Sequence, residues 1–273
     1  MSVLLQISDP HFGTEQPPVM AALLRLAQAQ RPDIVVWSGD ITQRARRSQF
    51  AAARRFADQI KAPHRLAIPG NHDIPLFNVA ARLLAPYANF RRAFGHELEP
   101  SISTPQWLVI GVNTTRPWHH KDGEVSADQI DAVTARLNAA LPGQVKVVVV
   151  HQPVCVTLDK DRENLLSGHE AALSHWGQAG VDLILGGHIH LPYVVPQKTI
   201  RGGTQHPFWV VQAGTALSSR LRGDTANSVN LIRRPAMPGQ PLSIERWDFN
   251  AEHAAFALAT RLDAPAPAAL QQL

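Results

Sequence analysis

Five segments of the chain place histidine, aspartate or asparagine directly after a short apolar run. They are Asp9-Pro10-His11, Gly39-Asp40, Gly70-Asn71-His72-Asp73, His151 and Gly187-His188-Ile189-His190. Imidazole, carboxylate and carboxamide donors without a thiolate favour Mn, Fe, Zn or Co over a cysteine-rich zinc cluster. The pattern therefore predicts a metal site whose ligands come from five separate segments.

The number of donors indicates how many metal ions the site holds. The candidate ligands are Asp9, His11, Asp40, Asn71, His151, His188 and His190. This set is too large for one tetrahedral ion and suits two ions that share a carboxylate, an arrangement with metals about 3.5–4 Å apart that is common in displacement at phosphorus. In extended chain, residues i and i+2 point to the same side, so the pair Asp9 and His11 and the pair His188 and His190 can each bind one site.

The apolar runs before these residues have the length and β-branched content of buried strands. Strands are predicted at residues 3–7, 34–37, 65–68, 108–112, 145–150, 183–185, 208–211, 229–232 and 242–247, and helices at residues 19–30, 48–60, 128–141 and 169–179. Alternation of strands with helices indicates an α/β layered fold, in which ligands bind at the carboxyl ends of strands. We expect one domain over residues 1–250 and a C-terminal helix and tail over residues 251–273.

Composition and charge exclude several classes of protein. Of the 273 residues, 45% are hydrophobic and 18% are charged, which is typical of a folded chain. The net charge of +4 is scattered in arginine pairs rather than gathered in a block, so no nucleic-acid partner is expected. There is one cysteine, no basic segment ahead of the first apolar run, and no apolar run of about 18 residues. We therefore expect a cytoplasmic protein without a membrane segment.

The five segments, in this order, resemble the motifs of the calcineurin-like metallophosphoesterases. They extend from residue 9 to residue 190, about two-thirds of the chain. The resemblance implies a four-layer α-β-β-α sandwich of two mixed sheets. It also implies that Asp9, His11 and His190 hold one metal, that Asn71, His151 and His188 hold the other, and that Asp40 bridges both.

The resemblance implies roles for two further residues. His72 matches the family histidine that contacts the phosphate oxygens and assists the leaving group, and Asp73 would orient its imidazole. A hydroxide that bridges the metals would attack phosphorus in line with the leaving oxygen. Imidazole titrates near neutral pH, which suits the proposed role of His72.

Differences from other branches of the family narrow the expected substrate. Gly39-Asp40 continues as Ile41-Thr42-Gln43 instead of the Asp-Arg-Gly of phosphoprotein phosphatases, and Asp73 stands where those enzymes have glutamate. Gln43 stands where purple acid phosphatases have a tyrosine ligand. The chain is most similar to the bacterial cyclic-nucleotide and glycerophosphodiester phosphodiesterases. This implies hydrolysis of small organic phosphodiesters, with cyclic nucleotides as the leading substrates.

Several alternatives stay open from the sequence. A phosphomonoesterase or a nuclease of the same fold would differ only in substrate. A non-catalytic interaction module would be expected to lack ligands or the phosphate-contacting histidine, and all of these are present here. Relatives commonly dimerise through terminal elements, which makes the segment after Leu242 a candidate homodimer interface.

Two further groups of residues have more than one interpretation. Arg220 and Arg222, with Asn227 nearby, would either bind phosphate or belong to a solvated hairpin. His119 and His120 would either line the substrate mouth or lie in a solvated loop.

Overall fold

The structure, a computed structural model, describes residues 1–201, 204–237 and 240–265. Its strands are β1 (Ser2–Ile7), β2 (Ile34–Ser38), β3 (His64–Ile68), β4 (Ser101–Ser103), β5 (Trp107–Gly111), β6 (Val145–Val149), β7 (Leu183–Gly186), β8 (Tyr193–Arg201), β9 (Thr204–Gln212), β10 (Ser228–Arg234), β11 (Leu242–Asn250) and β12 (Ala255–Ala264). Its α-helices are α1 (Pro17–Gln30), α2 (Arg47–Ala57), α3 (Val79–Leu84), α4 (Ala88–Phe94), α5 (Ala127–Asn138) and α6 (His169–Gln178). Within those ranges, no helix has the length and apolar character needed to cross a bilayer.

The strands form two mixed sheets of six strands each. The first sheet has the order β12-β11-β10-β1-β2-β3, with β1, β2 and β3 parallel and β10 to β12 antiparallel. The second has the order β4-β5-β6-β7-β9-β8, with β5, β6, β7 and β9 parallel and an antiparallel strand at each edge.

Alternate side chains along the strands pack into different cores. On β1, Leu5 packs against residues of α1 and α2 on the outer face of the first sheet. Its neighbour Leu4 packs between the two sheets, together with Val147 of β6. Trp176 of α6 is buried with Ile130 of α5 on the outer face of the second sheet. These three cores separate four layers, so the predicted α-β-β-α sandwich is confirmed.

The C-terminal helix predicted after residue 251 is wrong. Residues Ala255–Ala264 form strand β12, which pairs antiparallel with β11 through a register shift between Arg246 and Trp247. The alanine-rich composition favours a helix locally, but burial of Phe256 and Ala264 against the first sheet outweighs that preference. The predicted tail over residues 266–273 lies outside the described residues, and the division into domains at residue 250 stays a prediction.

Loops from both sheets meet at one end of the sandwich. Those after β1, β2 and β3 come from the first sheet, and those after β6 and β7 come from the second. Backbone hydrogen bonds join them, from Asp9 N to Gly39 O (3.1 Å), from His11 N to Asp40 O (3.1 Å) and from Gly187 N to His151 O (2.9 Å). These bonds fix the backbone of four of the five predicted segments, and His72 N, which donates to Asp40 Oδ1 (2.8 Å), joins the remaining one.

Truncation of a core side chain on β1 should destabilise the chain far more than truncation of an exposed one on β12. Leu5 is fully buried, whereas Leu258 is 49% exposed. We expect Leu5→Ala to lower the free energy of unfolding by about 2–5 kcal/mol and Leu258→Ala to change it by less than about 0.5 kcal/mol. Urea denaturation of both variants measures the difference, and equal losses would contradict the assignment of Leu5 to the core.

Candidate metal centre

The structure brings the predicted ligands together in overlapping groups. Ligand atoms within 4.8 Å of one another define the groups Asp9/His11/His190, Asp40/His151/His188 and His11/Asp40/His72. Each of the first two groups combines residues that follow strands of the first sheet with residues that follow strands of the second. His188 and His190 lie in different groups, and the two groups meet at Asp40 in one site.

Asp40 lies between the first two groups. Its Oδ2 is 3.6 Å from His11 Nε2, and its Oδ1 is 3.3 Å from His151 Nε2. In the first group, His190 Nε2 lies 3.3 Å from Asp9 Oδ1 and 3.0 Å from His11 Nε2. In the second, His188 Nδ1 lies 3.0 Å from Asn71 Oδ1. The arrangement places one carboxylate next to imidazoles of both groups.

Neighbouring residues also hold the carboxylate of Asp9. Ser8 Oγ donates to Asp9 Oδ2 (2.6 Å), and His188 N donates to both carboxylate oxygens (3.1 and 3.0 Å). Thr215 Oγ1 donates to the Asp9 backbone carbonyl (2.5 Å). Such contacts fix the orientation of a ligand and are typical of residues around metal sites. Ser8 and Thr215 belong to the site, and nothing in the sequence distinguished them.

Hydrogen bonds at the outer ring nitrogens orient two imidazoles. His151 Nδ1 donates to Ser38 O (2.9 Å), and His190 Nδ1 donates to Arg220 O (2.7 Å). In each neutral ring this leaves the Nε2 lone pair on the inner side, as in metal-binding histidines. His151 Nε2 is buried and makes no hydrogen bond within the described residues. An unpartnered buried nitrogen among carboxylate and imidazole donors fits a divalent metal ion.

The backbone at the site is strained. The φ angle is 50° at Asp9, 44° at His11, 48° at Asp40, 75° at His188 and 55° at His190, all in the left-handed region. Non-glycine residues occupy this region rarely, and such outliers concentrate at functional sites. The assumption of extended chain for these pairs was therefore wrong, because left-handed turns determine where the side chains point.

Gly70 allows the close approach of two loops. A Cβ atom at this position would overlap both the backbone nitrogen and Oδ1 of Asp40, and would lie 2.8 Å from His151 Nε2. A larger residue would therefore displace the central carboxylate. The glycine ahead of Asn71 in the third segment has this steric explanation.

His72 belongs to the third candidate group, with His11 and Asp40, but Asp73 does not contact its imidazole. His72 Nδ1 donates to Gln43 O (3.0 Å). The Asp73 carboxylate instead accepts bonds from the backbone nitrogens of Ile41, Thr42 and Gly70 at 2.8–3.0 Å. Burial, with the nearby charge of Asp40, raises the pKa of Asp73 to about 7 although these bonds favour its ionised form. The prediction that Asp73 orients the imidazole is wrong, since these backbone donors compete for the carboxylate.

In the metal-free site, burial and the charges of neighbouring groups lower the pKa of some side chains and raise that of others. Burial disfavours the charged form of Asp9, but the hydrogen bond and charge of His190 outweigh it and lower its pKa to about 2. Burial lowers the pKa of His11 to about 3, and burial together with the charge of His151 lowers that of His188 to about 3. For His151 the Asp40 carboxylate outweighs burial and raises the pKa to about 9. His11 and His188 are therefore neutral near pH 7, while His151 carries a proton.

The groups open into a cleft of about 840 Å³. Beyond the predicted ligands and His72, its lining includes Gln43, Arg44, His120, Lys121, Lys160, Asp161, Glu163, Asn164, Ile189, Arg220, Leu221 and Arg222. Basic side chains outnumber acidic ones in this list. Arg44 and Lys160 lie outside the five segments, and the sequence pattern carried no signal for their place in the cleft.

Of the remaining candidate residues, some line the cleft and others lie away from it. His120 lines the cleft, whereas His119 lies 4.0 Å from Glu124. Asn227 is buried, and its side-chain nitrogen donates to the carbonyls of Thr215 and Ser218, which is a structural role. The two arginines, Arg220 and Arg222, both reach the cleft.

Comparison with known proteins assigns the chain to a family. Residues 2–192, more than two-thirds of the chain, match the calcineurin-like phosphoesterases. The chain belongs to the calcineurin-like phosphoesterase family. It is accordingly a metal-dependent phosphoester hydrolase with candidate ligands for its metal ions.

Individual relatives agree with this assignment. A protein of Synechococcus sp. described as a probable cyclic nucleotide phosphodiesterase is 26% identical over 205 residues, which cover 70% of this chain and 74% of the relative. A dimetal phosphatase from Danio rerio has a TM-score of 0.64 at 14% identity, over 97% of this chain and 99% of that one. A purple acid phosphatase from yellow lupin (Lupinus luteus) seeds has a TM-score of 0.68 at 13% identity, over 96% of this chain and 54% of its own. At these identities the two structures show a shared fold.

Metal binding to the metal-free protein should weaken as the pH falls. A histidine binds a metal ion through its neutral imidazole, so His151, whose pKa is raised to about 9, has to lose its proton on binding. Between pH 8.5 and 6.5 we expect the affinity for Mn²⁺ or Zn²⁺ to fall about tenfold per pH unit, with release of about one proton from this residue. Calorimetric titration in buffers of different ionisation enthalpy measures both quantities. Affinity independent of pH without proton release would contradict this account of the site.

Proposed function

We propose that the chain is a binuclear-metal phosphodiesterase that hydrolyses small organic phosphodiesters, with cyclic nucleotides as the leading substrates. The observation that supports it best is the position of Asp40, whose two carboxylate oxygens lie 3.6 and 3.3 Å from imidazoles of different groups. A carboxylate between two sets of donors suits a pair of ions, and paired ions are common in displacement at phosphorus.

The proposed ligand sets follow the two groups that Asp40 joins. Asp9, His11 and His190 would hold one ion, Asn71, His151 and His188 would hold the other, and Asp40 would bridge them. The donors are nitrogen and oxygen, which suits Mn, Fe or Zn. When bound, the ions supply Lewis-acid charge for the phosphoryl oxygens and activate water for attack.

Charge explains why the site would attract a phosphate ester. Two divalent ions carry +4, and the ionised carboxylates of Asp9 and Asp40 carry −2, so the loaded site is left with +2. Five basic side chains line the cleft around it, among them Arg44 and Lys160. The charge of the bound ions would stabilise charge that develops on the phosphoryl oxygens, whereas the exposed basic side chains add only a screened attraction.

His72 is placed to act at the phosphate and the leaving group. Because its Nδ1 donates to the Gln43 carbonyl, its Nε2 is the nitrogen available on the cleft side. Its ring centroid lies 4.9 Å from that of His11, so the imidazole borders the proposed ligands. A protonated Nε2 would donate to a phosphoryl oxygen or to the departing alkoxide.

The substrate class rests on the size of the cleft and on one relative. A volume of about 840 Å³ lies within the usual range of small-molecule sites, about 300–1,000 Å³. The Synechococcus relative is described as a probable cyclic nucleotide phosphodiesterase. Both observations favour a small diester over a polymer.

A paired turnover assay tests the proposed function directly. Protein stripped with a chelator and reloaded with Mn²⁺ is given bis(p-nitrophenyl) phosphate or p-nitrophenyl phosphate at neutral pH. We expect metal-dependent turnover with a clear preference for the diester, followed by turnover of cyclic nucleotides. Preference for the monoester would make the chain a phosphomonoesterase, and absence of turnover with two metals bound would contradict a general phosphodiesterase.

Replacement of His72 should lower turnover without removing metal. His72→Ala keeps the backbone nitrogen that donates to Asp40 Oδ1 (2.8 Å), so the proposed bridging carboxylate keeps this contact. We expect kcat for the diester to fall about 10²–10⁴-fold, the usual range for a positioned acid or base. The matched control is His175→Ala, because His175 is exposed on α6 outside the cleft. Full activity of His72→Ala, with metal content measured in parallel, would remove His72 from the mechanism.

A further inference from the structure

Arg220 reaches the same nitrogen of His72 that would face the phosphate. Its Nη1 donates to His72 Nε2 (3.2 Å) and to Gln43 Oε1 (3.0 Å). Neither bond is to a carboxylate: Gln43 Oε1 is an amide oxygen, and donation to His72 uses the lone pair of Nε2, with the ring proton on Nδ1 directed to the Gln43 carbonyl. Among residues 1–201, 204–237 and 240–265, no carboxylate lies within 4 Å of this guanidinium. An exposed cation is thus aimed into the cleft without a counter-charge from the described chain.

Arg222, two residues further along the chain, has a carboxylate and a backbone carbonyl as its hydrogen-bond partners instead. Its Nη2 donates to Asp161 Oδ1 (2.7 Å), and its Nη1 donates to the Ile189 carbonyl (3.0 Å). These two hydrogen bonds of Arg222 connect the segment around Asp161 with the backbone between His188 and His190. The charge of Arg222 is therefore already compensated, and its contacts are structural.

A guanidinium group matches the geometry of a phosphate. It presents N–H donors in a planar fork that binds two oxygens of an oxyanion at once, and such charge-assisted bonds are about twice as strong as neutral ones. Exchange of the neutral partners Gln43 and His72 for phosphoryl oxygens would give Arg220 stronger hydrogen bonds. It would also release His72 Nε2 toward the leaving group.

We propose that Arg220 binds the non-bridging phosphoryl oxygens of the substrate, directly beside His72. The proposal rests on the function proposed above and adds a phosphate-binding side chain to it. The structure thereby distinguishes two arginines that the sequence left equivalent, with Arg220 assigned to the substrate and Arg222 to support of the loop.

The side chain can be tested apart from the backbone. The carbonyl of Arg220 accepts the hydrogen bond from His190 Nδ1, and a substitution leaves that carbonyl in place. Arg220→Gln therefore removes the charge while the contact to the proposed metal ligand remains. Arg220→Lys keeps the charge but loses the fork, and Arg44→Gln removes a charge from the same cleft at a side chain that lies 5.4 Å from the Phe77 ring centroid.

The kinetic test compares these variants on bis(p-nitrophenyl) phosphate with metal content checked for each. We expect kcat/KM to fall about 10–100-fold in Arg220→Gln, the loss of a hydrogen bond to a charged group, and less in Arg220→Lys. Arg44→Gln should lose less than about threefold, because it removes only a screened charge. Addition of guanidinium ions at millimolar concentration should restore part of the activity of Arg220→Gln and none of that of Arg44→Gln. Equal losses in Arg220→Gln and Arg44→Gln, or no loss in either, would overturn the proposal.

An equilibrium test separates this proposal from the proposed function. Inorganic phosphate is titrated into the metal-loaded wild type and the metal-loaded Arg220→Gln variant, which requires no turnover. We expect the Kd for phosphate to rise about tenfold or more in the variant. Unchanged Kd would overturn the role of Arg220 even if the diester is hydrolysed. Weakened phosphate binding without diester turnover would support Arg220 and contradict the phosphodiesterase instead.

Discussion

Two buried carboxylates have to be kept ionised among imidazoles at the end of the sandwich, and most of the surrounding structure serves that requirement. Asp9 and Asp40 are almost completely removed from water. A buried charge is costly unless it is paired and hydrogen-bonded. Here the compensation comes from histidines, from Ser8 and from backbone N–H groups, supplied by the loops after β1, β3, β6 and β7. The site therefore depends on all of these loops reaching their places together.

The packed sheets hold the loops in backbone conformations that the loops would not adopt alone. Left-handed backbone at Asp9, His11, Asp40, His188 and His190 is unfavourable for residues with a Cβ atom, and it persists only where the surroundings determine it. The Asp73 carboxylate contributes by joining the loop after β2 to the loop after β3 through backbone N–H groups. Asp73 is thus a structural part of the site, although its place in the third motif suggested a contact with His72.

Local sequence predicted most of the framework, because buried strands and the polar residues that end them are properties of short segments. The nine predicted strands and four predicted helices are present, and the predicted ligands do converge. What the sequence could not predict depends on distant contacts. His72 and Arg220 are 148 positions apart, and Gln43 and Arg220 are 177 apart. Strand β12 was missed for a similar reason, since its pairing with β11 outweighs a local preference for helix.

Each of the two main groups of candidate ligands takes side chains from both sheets. Asp9 and His11 follow β1 of the first sheet, while His190 follows β7 of the second; Asp40 follows β2, while His151 follows β6. An ion bound by either group is consequently a cross-link between the two halves of the sandwich. Because the unfolded chain has no such assembled site, occupancy stabilises the folded state by mass action. The thermal stability of the folded chain is therefore expected to rise with the concentration of free metal ion.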